Sequence, residues 1–286
     1  MPREGKTRIA RNPMGRDFNI EPRPDYATHL FVGGNAFMLD ILRANRTELD
    51  LRASEASLER AAAATRAQLA DGTAKLTISA PKRAEDLLEF DVRIENLTGH
   101  KFPTGYPARR AWLQVDVRAG QDVVFRTGAF DKDGRLIGVE DERALPHRDV
   151  VTKPSDVVVY ECTPVDGEGQ PTLLLTKMAA MGKDTRLLPR GWKQDGPHAA
   201  ATAAVGVEHD PDFGAGGDTV HFAIPLPKDT PRVQVVAWLR YQPVPPAWVA
   251  PLRALDLEPA RAFVKMYDAA NKTPETAGLA ARSEGD

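Results

Sequence analysis

Leu87-Leu88-Glu89-Phe90-Asp91-Val92-Arg93-Ile94-Glu95-Asn96 is the stretch that decides the fold. Leu88, Phe90, Val92 and Ile94 alternate with Glu89, Asp91, Arg93 and Glu95. Successive side chains of a strand point to opposite faces, so a period of two reads as a half-buried strand with one wet face. The pattern recurs on either side. Leu76, Ile78 and Ala80 alternate with polar neighbours, and Leu113, Val115 and Val117 alternate with Gln114, Asp116 and Arg118. Residues 122–129, 156–163, 172–178, 218–225 and 232–241 are further strand candidates, and Asp133-Gly134 marks a turn. About eight short strands with turn signals between them predict an antiparallel β-sandwich of immunoglobulin or jelly-roll type.

Upstream of residue 74 the period is helical. Phe37, Met38, Ile41, Leu42 and Leu49 suit one apolar stripe, and Leu58, Ala62, Thr65 and Leu69 repeat at i, i+4, i+7, i+11. Ser54 is placed as an N-cap and Gly72 as a stop. The expected division is an extended, proline-rich lead over 1–35, a helical segment over 36–72, a β-sandwich domain over 73–242, and C-terminal helices with a frayed tail over 243–286. The two late helices fall at 247–255 and 258–270, after Pro243-Val244-Pro245-Pro246 ends the strand run. The class is therefore mainly β with flanking helices. Long loops at 97–109, 130–155 and 179–217 are where function would sit.

Composition excludes several roles. Of 286 residues, 42% are hydrophobic and 27% charged, with a net charge of −2, so no basic excess points to nucleic acid. No stretch approaches the roughly 20 apolar residues of a transmembrane segment. Met1-Pro2-Arg3-Glu4-Gly5-Lys6 is not followed by an apolar run, so no signal peptide is read there, and the chain as given would stay in the cytoplasm. The one cysteine, Cys162, reads as a small core residue. It cannot form an internal disulfide or supply the C-x-x-C-H that attaches a c-type haem. No hydrolase, nucleotide-binding or zinc-protease motif is present, so no catalytic residue is named. Gly33-Gly34 and Gly216-Gly217 read as turns.

Three of the six histidines have distinctive contexts: His29 in Thr28-His29-Leu30-Phe31, His100 in Thr98-Gly99-His100-Lys101, and His147 in Leu145-Pro146-His147-Arg148. From spacing alone each reads as a loop histidine with a local hydrogen bond, while His198 and His221 read as structural. Asp210, Asp212 and Asp218 gather three carboxylates in one loop. That composition suits calcium, although the spacing is not that of an EF-hand. Asp131, Asp133, Glu140, Asp141 and Glu142 share that ambiguity.

Several phrases together resemble the C-terminal, haem-free region of bacterial multihaem cytochromes c. The strongest runs from Asn96-Leu97-Thr98-Gly99-His100-Lys101-Phe102-Pro103-Thr104-Gly105 to Ala111-Trp112-Leu113. Pro146-His147, Tyr160-Glu161, Lys183-Asp184-Thr185-Arg186-Leu187-Leu188-Pro189 and Asp212-Phe213 follow in order. Met1-Pro2-Arg3 resembles the residues after a C-x-x-C-H-M-P-R haem site, as though the chain were truncated just after the last attachment histidine. The resemblance implies a structural, haem-capping domain in an electron-transfer protein, periplasmic or extracellular. Its haem c would be held by an upstream multihaem region that exchanges electrons with other carriers. It also implies His29 and His100 as distal iron ligands, with His147 as a third candidate, and Arg109 and Arg110 as partners of haem propionates. The competing expectation is a free-standing β-sandwich that binds calcium or carbohydrate, the latter through Tyr106, Trp112 and Trp192.

Overall fold

A computed structural model describes residues 3–8, 14, 20–27, 31–143 and 145–285. His29 lies outside the described residues. The chain divides into two compact units, Met1–Gly34 and Asn35–Asp286. In the first, β1 (Arg3–Glu4) pairs antiparallel with β2 (Tyr26–Ala27), and a bridge joins Thr7 to Arg23. The expected lead is thus not merely extended, because parts of its backbone pair with each other.

In the second unit, α1 (Ala36–Ala44) starts at Asn35, whose side chain accepts the Met38 N–H at 3.0 Å. Ser54 caps α2 (Glu55–Gly72) by accepting the Ser57 N–H at 3.2 Å. Leu58, Ala62, Thr65 and Leu69 are its buried face, as their helical spacing requires.

The strands follow as β3 (Ala74–Ile78), β4 (Lys82–Ala84), β5 (Leu87–Asn96), β6 (Arg110–Ala119), β7 (Asp122–Thr127), β8 (Val150–Val151), β9 (Val159–Tyr160), β10 (Cys162–Val165) and β11 (Ala180–Asp184). After α3 (Ala199–Thr202) come β12 (Gly217–Pro225), β13 (Val233–Gln242), α4 (Pro246–Arg253), α5 (Glu258–Ala269) and β14 (Glu275–Ser283). One sheet has the order β3-β5-β12-β8, with β4 also on β5. The other has the order β14-β13-β6-β7, with β9 also on β6. β10 and β11 form a separate ribbon.

Leu76, Ile78, Leu88, Phe90, Val92 and Ile94 from the first sheet share one core with Leu113, Val115, Val117, Val235, Ala237 and Leu239 from the second. Phe90 and Phe222 stack there with ring centroids 4.6 Å apart. This is the sandwich that the period of two predicts. It departs from a purely antiparallel one at β8, which runs parallel to β12.

Four details differ from the sequence reading. The outer face of β6 is not wet: Asp116 is buried beneath Arg126 of β7, its register partner, which donates to both carboxylate oxygens at 2.7 and 2.6 Å. Trp112 on the same face is enclosed by Leu136, Val157 and Val159, and its indole N–H donates to Gly128 O at 2.8 Å. The strand expected over 172–178 is instead a single 3₁₀ turn at Leu175–Lys177 with exposed leucines, bracketed by hydrogen bonds from Thr172 N–H to Pro164 O and from Ala179 N–H to Val165 O of β10. The tail expected to fray is β14, which pairs with β13 along most of its length and buries Ala277 completely. A bare β13 edge would leave a row of unpaired donors and acceptors, which outweighs the weak apolar signal of this alanine-rich stretch.

Candidate metal centre and the His100 loop

The loop after β5 is cast around one buried amide. Asn96 is fully buried at the end of β5. Its side-chain N–H groups donate to His100 O at 2.8 Å and Leu187 O at 3.0 Å, with Leu188 O at 3.3 Å. Its Oδ1 accepts from Thr98 N at 2.9 Å and Thr98 Oγ1 at 2.7 Å. Phe102, buried against Tyr241, exchanges two backbone hydrogen bonds with Leu187. Lys101 donates to Asp184 Oδ2 at 2.6 Å, and Arg186 forks onto the same carboxylate at 2.7 Å on each oxygen. Burial alone would raise the Asp184 pKa, but Arg186 and Lys101 outweigh it and hold the carboxyl below its usual range.

His100 is exposed at the tip of this anchored loop. Its Nδ1 lies 2.9 Å from Lys101 O and 3.2 Å from Thr98 Oγ1. A carbonyl only accepts, so Nδ1 carries the hydrogen, and the lone pair of the neutral ring sits on Nε2. A nitrogen poised in this way, with the other nitrogen tied to a carbonyl, is how metal-binding imidazoles are commonly oriented.

The two arginines diverge. Arg109 is half-buried and uses Nη1 to hold Thr104 O at 2.8 Å. Arg110 is 2% exposed. It donates to Gln242 Oε1 at 3.1 Å, Glu142 Oε2 at 2.9 Å and Gly134 O at 3.2 Å, and it lies over the Trp112 ring. The expectation that Arg110 meets a propionate is therefore corrected: its fork is spent inside the protein. Glu142 accepts from Arg110 on one oxygen and from Leu136 N–H on the other, and Asp131 accepts the N–H groups of Asp133 and Arg135, a turn motif. The glycan expectation loses Trp112, which is in the interior, while Tyr106 is exposed and meets Trp248 edge-on at 5.3 Å.

A second assembly lies where β8 joins β12. His147 and Asp149 precede β8, Asp210 and Asp212 lie in the loop before β12, and Asp218 is on β12 itself. One ligating atom from each of His147, Asp210 and Asp218 lies within 4.8 Å of the other two, and the same holds for Asp149, Asp210 and Asp212. His147 Nε2 is 2.6 Å from Asp210 Oδ2, and the ring is almost wholly buried. His147, expected as a third haem-ligand candidate, thus has Nε2 engaged with a buried carboxylate. Asp210 Oδ1 accepts the N–H groups of Asp212 at 3.2 Å and Phe213 at 2.9 Å, and Asp212 Oδ1 accepts Thr219 N–H at 3.0 Å. Tyr160 of β9, in the other sheet, donates its hydroxyl to Asp218 Oδ2 at 2.6 Å.

The remaining atoms are the informative ones. Asp218 Oδ1, Asp149 Oδ1 and His147 Nδ1 are buried without a hydrogen-bond partner. Burial, reinforced by Asp210 and Asp212, pushes the Asp218 carboxyl up to about 8 even though Tyr160 opposes the shift. Burial and Asp210 also raise Asp149, and burial followed by Asp218 lifts Tyr160 well above its usual value. At the rim, His221 bonds Asp91 through Nδ1 at 2.7 Å, which raises its pKa, and places Nε2 3.3 Å from Asp212 Oδ2.

Sequence reading located Asp210, Asp212 and Asp218 but missed Asp149, Tyr160 and His221. Asp149, two residues from His147, left a faint local signal. The other two depend on strand pairing, in which His221 stands opposite Asp91 and Val150.

No family model matches the chain, and no curated protein matches it. Among solved structures it is similar to that of a penta-heme cytochrome c552 from Thermochromatium tepidum, at 18% identity and a TM-score of 0.44. The similarity covers 76% of this chain and 41% of that one, so this chain spans less than half of that protein's length. Among the described residues, no helix is long and apolar enough to cross a membrane.

Proposed function

We propose that this chain is a haem-facing module of an electron-transfer protein, in which His100 supplies an axial nitrogen to a c-type haem attached to another segment. The observation that carries the reading is the exposed His100 ring with Nδ1 held by Lys101 O and Nε2 left as the lone-pair nitrogen. The anchoring of its loop on Asn96 supports it, because a ligand on a fixed loop loses little freedom when it binds. The resemblance of the Asn96–Leu113 phrase to the multihaem cytochromes supplies the identity of the metal group. Arg109 is the arginine left to meet a propionate. A haem whose iron is filled by two imidazoles has no open position, which favours electron transfer over substrate binding. With a single cysteine, this chain would contact haem without attaching it.

The test uses a ferric haem c peptide that keeps its own proximal histidine and an open sixth position. Added to the purified chain, it should convert to a low-spin, two-imidazole spectrum, and His100→Ala should abolish that conversion. The same conversion in His100→Ala, with loss only in His29→Ala, would transfer the role to His29 and overturn the His100 assignment.

A further inference from the structure

We propose that Asp149, Asp210, Asp212 and Asp218 bind a hard divalent cation, calcium being the best fit, with His147 and Tyr160 positioning two of the carboxylates. This inference is independent of the haem reading and uses none of its residues.

Three observations converge. The first is spatial. Asp210 belongs to both groups of ligating atoms that lie within 4.8 Å of one another, so it joins the carboxylates into one assembly. Oxygens around one calcium, each at about 2.3–2.6 Å, can be separated by no more than roughly 5 Å. The second is the unpartnered atoms. Asp218 is completely buried, with Oδ2 held by Tyr160 and Oδ1 without a hydrogen-bond donor. Asp149 is half-buried, and its Oδ1 is likewise without a donor, with His221 Nε2 no nearer than 3.8 Å. A buried carboxylate oxygen without a donor is costly, and a cation removes that cost. The third is charge. Among the described residues no lysine or arginine pairs with any of these four aspartates, and only the imidazoles of His147 and His221 approach them. This contrasts with Asp116 and Asp184, the other buried aspartates of the strands, each clasped by two cationic side chains.

The hydrogen bonds then acquire a purpose. Tyr160, Thr219 N–H and the N–H groups of Asp212 and Phe213 hold one oxygen of Asp218, Asp212 and Asp210 respectively. Asp218 Oδ1 is left for an ion, as is Asp212 Oδ2 on its side away from His221, and His147 braces Asp210 Oδ2. Four carboxylates against two imidazoles, each already engaged by a carboxylate, favour a hard, oxygen-seeking cation over zinc. The ion would tie the β8 edge to β12 and to Tyr160 of the opposite sheet.

The experiment strips the purified chain with EDTA and titrates it by calorimetry with CaCl2, and with MgCl2 and ZnCl2 in parallel. Thermal melts accompany each titration. The expected result is saturable calcium binding with a raised Tm, and magnesium weaker than calcium. Asp149→Asn and Asp218→Asn should each lower calcium affinity at least about tenfold. Asp218→Asn disturbs a buried bond to Tyr160, so Asp149→Asn, whose carboxylate holds no other side chain by a hydrogen bond, decides if the former fails to fold. Absence of calcium binding in the stripped chain, unchanged affinity in Asp149→Asn, or binding of zinc without calcium would each overturn the proposal. Haem-peptide binding that persists in EDTA keeps the two assignments separable.

Discussion

Replacing Asn96 by alanine probes how the His100 loop is held. The side chain uses two amide hydrogens on the carbonyls of His100, Leu187 and Leu188, and its oxygen takes both donors of Thr98. Those carbonyls have other partners in the variant: Leu187 O keeps Phe102 N–H, Leu188 O keeps Gly216 N–H, and the Thr98 hydroxyl, released from Asn96 Oδ1, can turn to His100 O. The loss is then the net value of the bonds, about 1 kcal/mol each, and not the larger cost of orphaned carbonyls. Two donated and two accepted bonds are lost and the Thr98 hydroxyl regains one, so the net loss is about 3 kcal/mol. At about 2–4 °C per kcal/mol for a domain of this size, Tm should fall by roughly 6–12 °C. Thr98→Val removes one hydroxyl and keeps the amide, so about 1 kcal/mol and a fall of roughly 2–4 °C are expected. Calorimetric melts of the three proteins, with the haem-peptide titration alongside, provide the assay. Asn96→Ala should also weaken haem-peptide binding although His100 is intact. An Asn96→Ala melt no lower than that of Thr98→Val would refute the view that this amide organises the loop.

Acid should act through the clasped aspartates. Asp184 and Asp116 have folded pKa values below their unfolded ones, so their stabilisation is complete above the unfolded carboxylate value of about 3.9 and is lost as pH falls through the folded value. Wild type should therefore exceed Asp184→Asn in Tm at pH 7 and lose that advantage in strong acid; a gap that does not narrow on acidification contradicts the assignment. Deleting residues 275–286 should lower soluble yield and Tm sharply, because it bares the β13 edge and removes Glu275 from Arg66. A truncated chain that melts like the full one would return this segment to a dispensable tail.

Much of the fold is written locally. A period of two marked β3, β5 and β6, and β12 and β13 fell among the further strand candidates. The i, i+4, i+7, i+11 spacing marked α2, and Ser54 marked where it starts. Cys162 is buried, as a lone cysteine among strand residues should be. These features follow from backbone geometry, because the alternation of faces is a property of a few consecutive residues. Three calcium-type carboxylates and the His100 phrase were also visible, because each set lies within a few consecutive residues.

Tertiary structure alone decided the rest. Asp116 and Arg110 carry the charge of surface residues, yet both are enclosed, since Arg126 and Glu142 come from elsewhere in the chain to meet them. β14 exists because β13 had an edge to fill. His147 and Asp210 are 63 positions apart and touch only because two residues of β8 run beside β12, with Tyr160 reaching across from the other sheet. Periodicity states which face of a strand is apolar, but not which strand lies beside it or in what register. Burial, ion pairing and the carboxylate cluster depend on that pairing.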